Sequence, residues 1–276
     1  MPKQPQYEIF AIGFILLWMS FPIAARFLSY TLVKHGKVIE QEGRLLLRQV
    51  ARRTWHYFET FVGPDDNWLP PDNHQIFPQP VTAHRTSPTN IGLYLLSLMT
   101  ARDFGYVTTS KFIDLLKLTL ATMEKLELYE GHFLNWYDTN SLAALNPKYV
   151  STVDSGNLAG YLVTAREACL EIHKSFVLDS KITQGLEDSV HVIESELSAT
   201  KSNNPELLSE LKTLKNLLKK PVADTFSDWK KFFNVAHKSF ENFKENLRNS
   251  NDISCWVDAC LIQLTEAQSN IATLAP

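Results

Sequence analysis

A chain of 276 residues with 45% hydrophobic and 21% charged residues has the composition of a globular protein and not of a disordered one. Its formal net charge of −3 at pH 7, without a basic stripe, gives no electrostatic reason to expect a nucleic-acid partner. The three cysteines, Cys169, Cys255 and Cys260, lack Cys-x-x-Cys spacing, which indicates free thiols in a reducing compartment.

The first predicted element is an apolar run at the N-terminus. No charged residue occurs from Ile9 to Ala25, and helices of roughly 17–25 apolar residues cross a bilayer. Pro22 is expected to kink or end this helix. Basic residues are more frequent after the run than before it, so the positive-inside tendency predicts a cytoplasmic main body. We therefore predict a membrane segment and juxtamembrane linker over residues 1–40; the alternative is a buried helix that covers the following domain.

Residues 41–172 are predicted to form the first part of an all-α domain, because apolar residues recur there at helical spacing. The predicted helices run from Glu42 to Val62, from the N-cap Ser87 and Pro88 to Gly105, from Thr109 or Ser110 to near Gly131, and from Asp154–Ser155 to about Glu171. The proline-rich segment from Trp68 to Ala83 is expected to be an ordered loop. No stretch has a convincing period of two, so no strand is predicted. This layout predicts helical hairpins with a binding surface made by the loops at one end.

Residues 173–276 are predicted to be a charged amphipathic helical region. Apolar faces are expected around Leu186–Leu197, after Asn204–Pro205, and from Phe226 to Phe243. Acidic and basic residues are balanced there, so the charges form a solvated face and not a site for a polyanion. We interpret the leucine and phenylalanine stripes as packing surfaces.

Four blocks in the breaks of the first domain combine aromatic rings with amides, hydroxyls and single carboxylates. Such a composition suits sugar recognition, since rings stack on pyranose faces while polar groups bond the ring hydroxyls. The blocks are Asn67–Asn73, His84–Gly92, Gly131–Thr139 and Val150–Leu158.

Three carboxylates in these blocks, Asp72, Asp138 and Asp154, are candidates for catalysis. Glycoside chemistry needs two carboxyl groups that flank the scissile bond, and a carboxyl beside a tryptophan would have the raised pKa that an acid needs. The structural alternative stays open for each of them. Asp154 would then cap its helix, while Asp72 and Asp138 would hold turns through their own backbones.

Other types of site are not indicated by the sequence. Arg85 either binds an anion or carboxylate near a helix start or forms a salt bridge within its loop. His74, His84 and His132 lack metal-ligand spacing, so we expect no metal. The chain has no glycine-rich phosphate loop and no Asp-x-Asp motif, so we expect no cofactor and no use of a sugar nucleotide by this chain alone.

The polar blocks resemble, in sequence and in order, the central region of the cyclic β-1,2-glucan synthases, which are large bacterial inner-membrane proteins. The resemblance is close over residues 44–164. It rests on Ala51–Trp55, Phe61–Pro64, Trp68–Asn73, Ala83–Leu93, Ala101–Tyr106, Gly131–Phe133, Asn135–Thr139 and Tyr149–Leu158. The apolar run with Pro22-Ile23-Ala24 is similar to the last membrane segment of that family's transferase part.

In that family one region extends the glucan from UDP-glucose, a glucoamylase-like (α/α)6 region closes the ring by transglycosylation, and a phosphorylase-like region trims chain length. The resemblance therefore implies a partial (α/α)6 glucoamylase-like barrel with a helical insertion and an N-terminal membrane helix. It implies the bacterial inner membrane as location, with the main body in the cytoplasm. Because a barrel of twelve helices and the insertion do not both fit, we expect a fragment of a longer reading frame whose catalytic carboxylates lie outside this chain.

The function implied is that of a membrane-bound fragment of a cyclic β-1,2-glucan synthase-like protein, which takes part in glucan binding and transglycosylation without a complete catalytic site. The implied partners are a β-1,2-glucan chain, membrane lipid and the remaining portions of a split synthase. The implied substrate-binding residues are Trp68, Asn73, Arg85, Asn90, Asn135, Trp136, Tyr137 and Asn157. Two alternatives stay open: an inactive truncated remnant, and a non-enzymatic helical membrane-associated binding protein.

Overall fold

A computed structural model describes residues 5–29, 39–174, 177–200, 204–220, 222, 225–247 and 251–274. These residues are mainly helical, which confirms the all-α class; the barrel assignment itself stays a prediction. The helices are α1 (Pro5–Ser29), α2 (Gln41–Phe61), α3 (Pro88–Asp103), α4 (Thr109–Met123), α5 (Thr152–Ile172), α6 (Ser180–Ala199), α7 (Pro205–Leu218), α8 (Phe226–Asn246) and α9 (Asn251–Leu274).

Short antiparallel ladders occur in the loops, where no strand was predicted. The strands are β1 (His74–Gln75), β2 (Val81–Thr82), β3 (Arg85–Thr86), β4 (Leu128–Tyr129), β5 (His132–Phe133) and β6 (Tyr137–Asp138). β1 pairs with β2, β3 with β6, and β4 with β5. The expectation of no strand is wrong because segments of two residues are too short to show an alternating pattern.

The predicted helix limits are confirmed for α2 and α3 and shifted for α4 and α5. The hydroxyl of Ser87 accepts from the backbone N–H of Asn90 at 3.2 Å, so Ser87 caps α3 as predicted. Thr108 caps α4, one residue before the predicted cap, and α4 ends at Met123 because the β4–β5 hairpin follows. Ser151 caps α5, so the helix begins at Thr152, before the predicted start at Asp154.

Helix α1 belongs to a compact unit, Met1–Gly43, separate from Arg44–Pro276. Its side chains from Phe10 to Ser29 are exposed, and this stretch is long and apolar enough to cross a membrane, by length and composition alone. The helix continues past Pro22 to Ser29, so the proline does not end it.

Within Arg44–Pro276, helices α6–α9 enclose one apolar core. Leu186, Val190, Phe233, Phe240 and Leu264 are fully buried there. The interpretation of the leucine and phenylalanine stripes as packing surfaces is therefore confirmed.

Helices α2–α5 pack around two further apolar clusters. Tyr94 and Phe112 lie in one of them, while Ile91 and Tyr137 lie in the other. Helix α3 contributes to both clusters, which places its N-terminus and the polar blocks at the edge of a well-packed region.

A buried arginine joins α2 to α6 and α9. Arg52 is 2% exposed; its Nε donates to Ser189 Oγ at 2.8 Å and its Nη2 to Glu59 Oε2 at 3.1 Å. The guanidinium carbon also lies 5.4 Å from the ring centre of Tyr106 and 5.2 Å from that of Trp256. These partners offset part of the cost of removing the charge from water, while the buried Nη1 has no hydrogen-bond partner among the described residues.

Two glycines bring the end of α3 against the start of α6. Gly105 has φ of 78°, and a Cβ there would collide with the backbone carbonyl of Lys181. A Cβ on Gly185 would collide in turn with the carbonyl of Gly105. That carbonyl also accepts from Gln263 Nε2 at 2.6 Å, so α9 is fixed at the same point.

The His56 imidazole makes folding stability depend on pH. Hydrogen bonds to the Cys255 thiol and then to the Glu59 carboxylate raise the pKa of His56 from 6.5 to about 9. The protonated imidazole therefore stabilises the fold. Its contribution is fully present below about pH 6.5 and is lost as the pH rises through about 9. We expect the difference in unfolding free energy between wild type and His56→Gln, measured by denaturant titration, to shrink from pH 6 to pH 9.5. A difference that stays constant over this range would contradict the assignment.

Candidate polar cluster at the loop end of the helices

The carboxylate of Asp72 lies at the centre of a group of polar side chains. Arg85 donates to Asp72 Oδ2 through Nε at 3.1 Å and through Nη2 at 2.9 Å. Asn90 Nδ2 donates to Oδ1 at 3.3 Å and Asn73 Nδ2 to Oδ2 at 3.1 Å. The Asp72 side chain is 19% exposed and that of Arg85 52%, so the ion pair lies at the protein surface. Residues from the first two polar blocks therefore meet at one carboxylate.

The backbone holds this arrangement in place. The N–H of Asp72 donates to the carbonyl of Ala83 at 3.2 Å, and the phenol of Tyr57 on α2 donates to the carbonyl of Pro71 at 3.1 Å. Arg85 stands in β3, opposite Asp138 of β6. The third block is thereby placed beside the second.

Trp136 is joined to the ion pair through its ring. The guanidinium carbon of Arg85 lies 5.0 Å from the centre of the Trp136 ring, which is a cation–π distance. The indole is half-buried, so part of its surface reaches solvent. One arginine therefore contacts both the central carboxylate and an aromatic ring that borders it.

Asn135 connects Trp136 to the fourth block. With its amide oriented to meet complementary partners, its oxygen accepts from Trp136 Nε1 at 2.6 Å and from the phenol of Tyr149 at 2.7 Å. Its nitrogen then donates to Asp154 Oδ2 at 3.3 Å. Asp154 thus orients an amide next to the tryptophan and is not the N-cap of α5, which is Ser151.

Asn157 reaches the same region from α5. Its Nδ2 donates to the hydroxyl of Thr89, which is the neighbour of Asn90 in the first turn of α3. We call the whole set the polar cluster; it comprises Asp72, Asn73, Arg85, Asn90, Asn135, Trp136, Asp154 and Asn157.

The remaining predicted site residues have structural contacts. Tyr137 is fully buried, and its hydroxyl donates to the carbonyl of Glu127 at 2.7 Å, so its ring has no face open to a ligand. Trp68 packs against the apolar cluster of Tyr94. Asp138 Oδ1 accepts from the backbone and hydroxyl of Ser141, and these bonds hold the pKa of Asp138 below its usual range. These contacts are made within the fold, and the binding roles predicted for Trp68 and Tyr137 and the catalytic role considered for Asp138 stay predictions.

Sequence reasoning missed one buried carboxylate, Asp66. It is 6% exposed and accepts from His84 Nδ1 at 2.8 Å and from the hydroxyl of Thr139. Asn67 Nδ2 donates to the carbonyl of Thr139 at 2.8 Å beside it. The Gly63–Asn67 segment has the composition of a turn, but nothing in it indicates that Asp66 would bond His84 of the second block and Thr139 of the third.

The chemistry available to the polar cluster is that of recognition. It offers amides, a cation paired with a carboxylate, and a half-buried indole in contact with that cation, which suit a neutral polyhydroxyl ligand. Within the described residues no group of three histidine, cysteine or acidic side chains is arranged to hold a metal ion. A groove of about 790 Å³ is lined by residues of α8 and α9 such as His237 and Glu241, and the polar cluster contributes nothing to its lining.

A curated protein, the cyclic β-(1,2)-glucan synthase NdvB of Rhizobium meliloti (strain 1021), is 41% identical over 213 residues. The match covers 77% of this chain. The chain is similar in sequence to a part of this cyclic β-(1,2)-glucan synthase. It spans only 7% of the length of NdvB, so the whole synthase is far larger than the matched part. The resemblance read from the polar blocks is therefore confirmed.

A family model described as "Protein of unknown function (DUF3131)" matches residues 49–161 of this chain. This range begins on α2 and ends on α5, and it includes every member of the polar cluster. Helices α6–α9 therefore lie outside the range that the family model matches.

Proposed function

We propose that the polar cluster is part of a cleft that binds a β-1,2-glucan chain. Three features support this role: the Asp72–Arg85–Asn90 hydrogen bonds, the half-buried Trp136 ring in contact with Arg85, and the relation to a cyclic β-(1,2)-glucan synthase. The single observation that carries the proposal is the contact of Arg85 with both Asp72 and Trp136. Through this double contact Arg85 places an aromatic ring beside the groups proposed to bind sugar hydroxyls.

The transglycosylation step itself is proposed to use carboxyl groups from another part of a longer synthase. Asp72 already pairs with Arg85, and Asp154 pairs with an amide, so each carboxylate has a positioning partner. Asp138 is engaged by its own turn. The role proposed for Asp72 and Asp154 is therefore to hold and orient the groups that bind the glucan.

Helix α1 is proposed to anchor the protein in the bacterial inner membrane, with the main body in the cytoplasm. The helix has the necessary length and hydropathy, and Arg26 lies in its last turn. The positive-inside tendency supports a cytoplasmic side for the residues after the helix. Tagging of either end and protease protection in membrane vesicles would test this orientation.

Replacing Trp136 by alanine should weaken glucan binding by about tenfold, since an anchoring aromatic ring often carries a large part of the affinity. The measurement is calorimetric titration of the full 276-residue chain in detergent micelles with linear β-1,2-glucan. Phe226→Ala is the matched control, because Phe226 is an exposed aromatic residue of α8 outside the cluster.

If Trp136→Ala binds glucan as tightly as wild type does, the indole is not part of the proposed cleft. A folded wild-type chain that binds no β-1,2-glucan would overturn the cleft itself and favour a helical interaction protein. Cleavage or ring closure by the isolated chain would instead show that its own carboxylates are catalytic.

A further inference from the structure

The hairpin formed by β1 and β2 grows directly out of the polar cluster. Its first strand follows Asp72 and Asn73, and its second strand leads through Ala83 to Arg85. The N–H of Ala83 donates to the carbonyl of Asn73 at 2.9 Å, so the two sides of the hairpin are joined at the cluster. The hairpin is therefore a continuous extension of the two segments that hold the central ion pair.

The base of this hairpin is held in place by contacts to α2. The ring of His74 stacks on Phe61 with 4.5 Å between ring centres. His74 Nδ1 lies 2.9 Å from Thr82 Oγ1 across the two strands. A hairpin with such a base presents its far end in a defined position relative to Asp72.

The far end, residues 76–80, which we call the hairpin tip, is apolar and exposed. Phe77 is 86% exposed and Ile76 78%, with Val81 beside them at 46%. Exposing large apolar side chains side by side is unfavourable in water unless something covers them. From His74 to Ala83 the sequence has no lysine, arginine, aspartate or glutamate, so a charged partner is not favoured.

We propose that the hairpin tip is a further subsite for the glucan, with the Phe77 ring stacking on a sugar unit beyond those held by the polar cluster. This inference rests on the proposed function, because the occupant is the same neutral chain extended along the hairpin. Continuity with the cluster and the absence of charge favour this occupant over an anionic lipid surface or a charged peptide. The tip then makes binding depend on glucan length.

The test compares β-1,2-linked oligosaccharides of increasing length, from the disaccharide upward, on the full chain in detergent micelles. Wild-type affinity should rise once the ligand is long enough to reach the tip. Phe77→Leu should lose about threefold to fivefold in affinity for long ligands only, because it keeps apolar surface but removes the ring. Phe77→Tyr should retain the gain, and Phe226→Leu is the control for loss of an exposed ring elsewhere.

The outcomes separate the two proposals. If wild type binds glucans and Phe77→Leu keeps the full length dependence, the tip is not a subsite while the cleft stands. If Phe77→Leu weakens short and long ligands equally, the residue acts on the fold of the cleft and the subsite is likewise overturned. If wild type binds no glucan of any length, both proposals fail.

Discussion

Replacing Asp72 by alanine is expected to lower the affinity for linear β-1,2-glucan by about tenfold to hundredfold, the largest effect of any single change in the polar cluster. The Asp72 carboxylate accepts hydrogen bonds from Arg85, Asn73 and Asn90. Without it, Arg85 loses the partner that fixes it over Trp136. Several groups of the proposed cleft are then released together, whereas Trp136→Ala removes only one.

The stability of the fold should change little in the same variant. The ion pair is at the surface, with Arg85 more than half exposed, and such pairs contribute about 0–1 kcal/mol. Denaturant titration of Asp72→Ala should therefore give an unfolding free energy close to that of wild type. Asp65→Ala is the matched control for binding, since Asp65 is an exposed aspartate on the preceding turn.

A double-mutant cycle makes this prediction more specific. Because Asp72 and Arg85 act as one unit, Arg85→Ala in the Asp72→Ala background should cost less affinity than it does in wild type. Additive losses would contradict a shared role. Loss of binding accompanied by unfolding would show that Asp72 is structural and that the cluster is not a preorganised cleft.

The second large effect is expected on stability. Arg52→Leu should reduce the unfolding free energy by about 2–3 kcal/mol, because the buried Ser189 hydroxyl loses its donor while the partly exposed Glu59 keeps its hydrogen bond to His56. The lost partners are Glu59 and Ser189, and the aromatic contact to Trp256 is lost with them.

The neighbouring arginine provides the control for this change. Arg53 is 43% exposed and pairs with Glu196 at 2.7 Å, so Arg53→Leu should cost no more than about 1 kcal/mol. Chemical denaturation of both variants at pH 7 gives the comparison. A loss for Arg52→Leu no greater than that for Arg53→Leu would refute the structural role of the buried guanidinium.

The helices could be predicted from sequence because their signals are local. Ser87 followed by Pro88 marks the start of α3, and Asn204 followed by Pro205 marks that of α7. Each pattern rests on hydrogen bonds within one turn of helix. Where two polar residues compete as the cap, as Ser151 and Asp154 do before α5, the sequence predicts the helix but not its first residue.

The composition of the polar blocks indicated sugar binding, but their mutual arrangement was not predictable. Asp72 and Arg85 are separated by a whole hairpin, and Trp136 by two more helices. Tyr137 shares a block with Trp136, yet it is buried because β6 pairs with β3 and directs its hydroxyl to the carbonyl of Glu127. Of two neighbouring side chains in a loop, one can therefore be buried and the other partly exposed, and tertiary packing decides which.

Arg52 shows the same limit on α2. A charged residue on an amphipathic helix is usually solvated, and the sequence of α2 contains several arginines. Burial of Arg52 depends on Trp256 and Ser189, which lie far along the chain. The pattern of α2 alone cannot distinguish it from Arg53.

The contact between Gly105 and Gly185 limits which substitutions this protein can accept. Helices α6–α9 have their own apolar core, so exposed residues of α7 and α8 can change without disturbing α3. The two backbones that meet at these glycines have no such freedom, because any side chain would force α6 away from the end of α3. In a set of natural variants, we expect both positions to keep glycine together or to lose it together with a change in how α6 docks.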